Sequence, residues 1–251
     1  MSYPINYPTP QNANVQVLYK TDDWVKPQGT SFVWFTLIGA GAGGRNDVTG
    51  SGGVGGGSGA VTNFMCPAFL IPDELRIVVG IGGAGGATGT DTTVVYQEKD
   101  GTGYTLLTGS AGTSQTAGTA MTANYFTAMG FFQSIAGQDG GTTSADLTAS
   151  TTTFLSGGGA GTYATFPNYG YPPGAKGAAS TENPGFPGYF MMRPIIVGAG
   201  GGPGGWNPGG SLGGRGGMGG IGCGGGGAGA GSSPGAVGGR GGDGLAVIIT
   251  W

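Results

Sequence analysis

Apolar residues in this chain come in short runs, and three of the five clearest stop at a glycine. The segments SFVWFTLI (31–38), LRIVV (75–79), TVVYQ (93–97), RPIIV (193–197) and LAVIITW (245–251) have strand length and are rich in β-branched and aromatic residues. Several are apolar at successive positions, as expected of strands covered on both faces. One segment, TAMTANYFTAM (119–129), places Met121, Tyr125 and Met129 four apart and predicts the single helix of the chain.

Beyond the strands the period becomes three. In GGSLGGRGGMGGIG (209–222), Leu212, Arg215, Met218 and Ile221 recur every third residue among glycines, and the phase returns at Val237, Arg240 and Asp243. Three residues per turn is the repeat of the extended left-handed helix, with about 3.1 Å of rise per residue and no internal hydrogen bonds. Buried N–H and C=O groups of such a rod must be satisfied by neighbouring rods, and glycine alone lets backbones approach so closely. The predicted fold is therefore mainly β, a β layer whose strands continue into a bundle of polyglycine-II-like extended rods, with almost no helix. Ordering each residue costs on the order of 1–2 kcal/mol, against about 1 kcal/mol returned per hydrogen bond. Apolar strands, contacts between copies, or both must supply the difference. Collagen is excluded, because the Gly-Gly-X run is short and its phase breaks at Pro203, Pro208 and Pro234.

With 63 Gly and 15 Pro in 251 residues, composition alone would indicate disorder. The aromatic residues argue otherwise, since they sit in or beside the apolar runs. The organisation expected is an N-terminal arm (1–14) followed by a glycine-rich domain (15–251), with a Thr- and aromatic-rich insertion at about 101–192. Nine Lys plus Arg against twelve Asp plus Glu leave a net charge of -3 with no basic block, which excludes nucleic acid as an expected partner. The start, MSYPINYPTPQN, has neither a cationic end nor an apolar core, so neither a signal peptide nor membrane insertion is expected.

Histidine is absent, which removes the usual general base and zinc ligand. Cys66 and Cys223 form no disulfide framework or metal-binding spacing and are expected as two buried thiols. Asp22 with Asp23, and Asp73 with Glu74, point apart in an extended chain and are expected as solvated charges or turn caps. Asp243 is expected to pair with Arg215 or Arg240. No catalytic residue, cofactor or metal is expected, and the chain reads as a non-enzyme.

One motif tests that conclusion. FTLIGAGAGG (35–44) carries Gly39, Gly41 and Gly44 at the G-x-G-x-x-G spacing of a dinucleotide site. That fingerprint requires the last glycine to open a helix, yet the glycines from Gly50 to Gly59 that follow would each cost a helix about 1 kcal/mol. The spacing also recurs at Gly80, Gly82 and Gly85, and in PIIVGAGGGPGG with Pro203 in the last place. Repetition describes an architecture, not a cofactor site.

The segments DDWVKPQGTSFVWFTLIGAGAGG (22–44), IPDELRIVVGIGGAGG (71–86) and GGRGGDGLAVIITW (238–251) resemble the glycine-rich domain of tail-fibre and other appendage proteins of bacteriophages and related viruses. Trp24 with Pro27, Pro72 with Gly80 to Gly86, and Gly241 to Thr250 fill the family's pattern. The resemblance is carried by these three segments, 53 residues in all, and part of that family resembles host-recognition adhesins. It implies a non-enzymatic virion structural protein, a fibre, tail appendage or surface decoration, made in the host cytoplasm. Its expected partners are further copies of itself (three by fibre analogy), other virion proteins and a host surface glycan or protein. The alternative is a secreted glycine-rich ice-binding or extracellular matrix protein.

On either reading recognition belongs to the loops that rods display. The candidates are Tyr163, Phe166, Tyr169 and Tyr171 in YATFPNYGYPPGAK (163–176), whose rings suit sugars or apolar groups, and Trp206 with Asn207 in GGGPGGWNPGG (200–210). Packing of the same aromatics onto the rods is the competing reading.

Overall fold

The computed structural model describes residues 13–47, 52–142, 155, 157–158, 161, 187–188, 190–191, 197–202, 204–205, 207, 212–231 and 235–251. Among these, the strands are β1 (Asn14–Leu18), β2 (Asp22–Val25), β3 (Phe32–Ile38), β4 (Val61–Pro67), β5 (Glu74–Val78), β6 (Thr92–Gln97), β7 (Gly103–Gly109), β8 (Phe131–Ile135), β9 (Phe190–Met191), β10 (Val197–Gly198) and β11 (Leu245–Thr250). Strands β3, β5, β6 and β11 fall on the apolar runs. Of the run at 193–197 only Val197 is described.

Two antiparallel sheets carry the core, one ordered β1-β11-β3-β4-β8 and the other β2-β5-β6-β7. Phe35, Leu37, Phe64 and Ile248 of the first meet Leu75, Ile77, Val94 and Leu107 of the second. Trp24 fills the space beside them, edge-on to Phe35 with ring centroids 5.8 Å apart. Each large apolar side chain buried here contributes about 1.5–3 kcal/mol, which is the support the glycine segments need.

At Ile38 the side chains between the sheets give out, and the chain runs on as 39–47 without changing partners. Ile38 pairs with Val61 on β4 and with Leu245 on β11. In the same registers Gly39, Ala42 and Arg45 donate N–H groups to Ala60, Gly57 and Val54 at 2.8–2.9 Å, and Gly41, Gly44 and Asp47 donate to Gly242, Gly239 and Ala236 at 2.9 Å. The step along each neighbour is three residues where a strand would use two. A third set of donors is thereby released: Ala40 and Gly43 reach Thr90 and Ala87, which prolong the β5–β6 pair of the opposite sheet. Sheets packed through side chains lie about 10 Å apart. Once the side chains shrink to Gly and Ala, the two layers hydrogen-bond directly.

The C-terminal run follows the same rule. Gly214, Gly217 and Gly220 donate to Gly205, Gly202 and Ala199, while Gly216, Gly219 and Gly222 donate to Val237, Arg240 and Asp243. Leu212, Arg215 and Met218 occupy the remaining phase and are exposed. Positive φ accounts for few of the glycines, since only six described ones have it. Close approach accounts for most: a Cβ on Gly41 would run into the carbonyl of Cys223, and one on Gly44 into that of Gly226. The dinucleotide-like spacing is thus a packing surface.

The helix expected over 119–129 is absent. Asn124 and Thr127 bond each other's backbone N–H groups through their side chains, at 2.7 and 2.9 Å, which closes a turn capped by a single 3-10 turn at Thr127–Met129. Such local side-chain bonds compete with helix, and the four-residue stripe does not form one face: Met121 packs on the core while Tyr125 is 98% exposed. The adjacent carboxylates are exposed, as expected of solvated charges, and two of them take surface ion partners. Asp22 and Asp23 lie in β2, where Asp23 pairs with its cross-strand partner Arg76 at 3.1 Å, and Asp73 pairs with Lys26 at 2.8 Å. The expected Asp243 pair does form, with Arg240.

Candidate recognition end of the rod bundle

The described ends of several rods meet at the side of the bundle away from the sheets. Asp47 donates its N–H to Ala236 and accepts from Gly235. Gly161 donates to Gly53, Gly53 to Ala228 and Asn207 to Ala230, at 2.7, 2.7 and 3.0 Å. The chain therefore leaves the described rods near 47, 161, 207 and 231, all at one end. Gly161 lies two residues before Tyr163, and Asn207 follows Trp206.

Tyr163, Phe166, Tyr169, Tyr171 and Trp206 themselves lie outside the described residues. Asn207 is described and is 8% exposed. Its Nδ2 donates to the Leu212 carbonyl at 3.0 Å, and it bridges Gly231, so its amide closes the rod end instead of projecting from it.

Along the bundle's flank the side-chain rows of 212–221 and 237–243 run parallel and in phase with a repeat of three residues, as the bonds from Gly216, Gly219 and Gly222 to Val237, Arg240 and Asp243 require. Between them is an open groove of about 600 Å³ lined by Arg215, Met218, Val237 and Arg240, with Ala84 and Pro187 at its sides. Its floor is glycine backbone. The Asp243 carboxylate holds Arg240 and also accepts the Gly82 N–H at 2.8 Å. Among the described residues that line it, none is a nucleophile beside a base. The period-three phase marked these side chains in the sequence, but only the alignment of the two rods turns them into one surface.

A family model described as a glycine-rich domain matches residues 17–251. The chain belongs to the glycine-rich domain family. The matched range takes in both sheets, the rods and the segment at 101–192. A search of curated protein sequences finds no match to this glycine-rich domain.

Among the described residues, chemistry elsewhere is sparse. Cys66 is a buried free thiol, Cys223 is buried with its Sγ donating to the Ile221 carbonyl at 3.5 Å, and burial pushes the Cys66 thiol up to about 11. The Thr102 backbone N–H and hydroxyl hold Asp100 below the usual carboxylate range. Among the described residues no group of three or more His, Cys, Asp or Glu could hold a metal ion, and no helix is long and apolar enough to cross a membrane.

Proposed function

We propose that this glycine-rich domain is a non-enzymatic structural component of a virus particle, part of a fibre, tail appendage or surface decoration. It assembles from identical copies beside other virion proteins, and presents loops at the rod end to a host surface glycan or protein. The observation that carries the reading is the convergence of the rod ends at 47, 161, 207 and 231 on the side opposite the sandwich. A strut anchored at one end by a hydrophobic core and bearing chain reversals at the other is suited to holding variable loops away from a particle. The viral context comes from the resemblance of 22–44, 71–86 and 238–251 to appendage proteins. The ice-binding alternative gains nothing from the two flank rows, which carry Leu212, Arg215, Met218, Val237 and Arg240 with no threonine among them.

The experiment is immunogold imaging of density-banded particles from the source with antibody to this chain. Label at fibre or tail tips is expected, and label over a shell would favour the decoration form. No label on any particle would overturn the viral reading and favour the secreted one.

A further inference from the structure

The five-stranded sheet has a second face, which side-chain alternation and strand register place opposite the core. At its lower end that face is buried: Ile38, Val61 and Leu245 pack against Leu155 and Cys223, which the rods bring over the sheet. At its upper end it is open. Val15, Ile249, Trp34, Met65 and Phe131 stand opposite one another in a single cross-strand row spanning all five strands. Val15 is 51% exposed, Trp34 38% and Phe131 59%, while Ile249 and Met65 are half-buried. Above the row Phe32 stacks on Trp251, with ring centroids 5.8 Å apart, and below it Thr36 donates its hydroxyl to Asn63 Oδ1 at 2.8 Å. Single exposed apolar side chains are ordinary. A contiguous row across a whole sheet marks an interaction surface.

We propose that this face is where two copies of the chain associate. Three observations favour a second copy over another partner. None of the side chains alternating onto the face is charged, so a charged partner would leave desolvated, unpaired ions, whereas the face is its own chemical complement and can close about a twofold axis. Trp34 lies on β3, the middle strand of the five, so the residue type most enriched among energetic hot spots sits at the centre, with smaller side chains towards the rim. The area is also sufficient. Five strands about 4.8 Å apart, and four residues of about 3.4 Å with side-chain margins, give a face of roughly 500 Å². A pair would bury roughly 1,000 Å², the least that a specific interface is expected to clear.

Two such sheets would pack face to face about 10 Å apart. The contact closes as a pair, so it favours a twofold arrangement over the threefold one expected by fibre analogy. The proposal rests on the reading of the chain as an oligomer of identical copies, and its test separates the two.

The test is sedimentation equilibrium of the full chain over a wide concentration range. It is repeated with Trp34→Glu and with the rim variant Val15→Lys/Phe131→Lys, each checked for an unchanged far-ultraviolet circular dichroism spectrum. The rim pair keeps the test informative if Trp34→Glu fails to fold. A wild-type dimer is expected, weakened by roughly 10-fold or more in folded variants. Folded variants that keep the wild-type mass would overturn this face while leaving the oligomer reading intact. A wild-type monomer at all concentrations would overturn both, and a monomer that floats with phosphatidylcholine vesicles would reassign the face to a lipid surface.

Discussion

The N–H of Gly41 donates to the carbonyl of Gly242 at 2.9 Å, in the register that pairs Ile38 with Leu245 at the end of the sheet. Strand pairing thus passes into rod pairing without a slip. What changes is the interval between bonds, from two residues to three, and with it the number of neighbours each segment can bind. A sheet residue bonds sideways within one plane. Segment 39–47 bonds in turn to 54–60, 236–242 and 87–90, and accepts from 83–86 and 225–228.

Gly216→Val should abolish folding or assembly. A Cβ on Gly216 would collide with the Gly226 carbonyl, and the obstacle is backbone that cannot rotate aside. Overpacking a yielding core costs about 1–3 kcal/mol, and this site should exceed that range. Gly86→Ala is the contrast: it has open space around it but a φ of +75°, so it should cost about 1–2 kcal/mol. Denaturant midpoints of the two variants check the difference, and ordinary yield with unchanged mass for Gly216→Val would count against the packing argument.

Amide exchange should be slowest in the least conventional part of the chain. The N–H groups of Gly41, Gly44 and Gly225 are buried and bonded to rods distant in sequence. They should exchange only on global unfolding, whereas the exposed turn at 98–102 should exchange by local opening. Hydrogen-exchange mass spectrometry of 39–47 against 98–102 decides the point.

Alkaline pH should destabilise the fold through Cys66. Its thiol is raised by burial from 9.0 to about 11, so as pH climbs through that window the unfolded chain loses its proton before the folded one. Stability then falls with rising pH, and below 9 this group has no effect. Denaturant midpoints from pH 8 to 11 should decline less in Cys66→Ala than in the wild type.

Asn207→Ala should lower stability by about 1 kcal/mol, the usual net value of one hydrogen bond, because its Nδ2 holds the Leu212 carbonyl. Asp243→Ala should cost a similar amount through the Gly82 N–H, since an exposed ion pair with Arg240 adds at most about 1 kcal/mol. Urea titration checks both. A loss of target binding by Asn207→Ala without loss of stability would return that side chain to the recognition surface.

Four strands could be read from their apolar runs, because burial on both faces of a sheet leaves few polar positions. Strand β2 could not, since DDWV begins with two carboxylates and only the position of Arg76 on the next strand makes Asp23 at home there. Nor could β8, whose FFQSI alternates over too few residues to stand out. The stripe at 119–129 suggested a helix because spacing is blind to Asn124 and Thr127 bonding each other's backbone. Among the recognition candidates Asn207 resembled a turn tip, and its burial depends on Leu212 and Ala230 arriving from elsewhere in the chain.

The two repeats of this protein, the two-residue interval of apolar strands and the three-residue interval of glycine segments, are legible along the chain, because each is a local consequence of side-chain size on backbone geometry. Tertiary structure alone decided which segments meet. The partner of Gly41 is 201 residues away at Gly242, and a bare backbone carries no side chain to encode that choice. Pairing is imposed from the sheet end, where Phe35, Leu37 and Ile248 lock the strands in register and the rods inherit it.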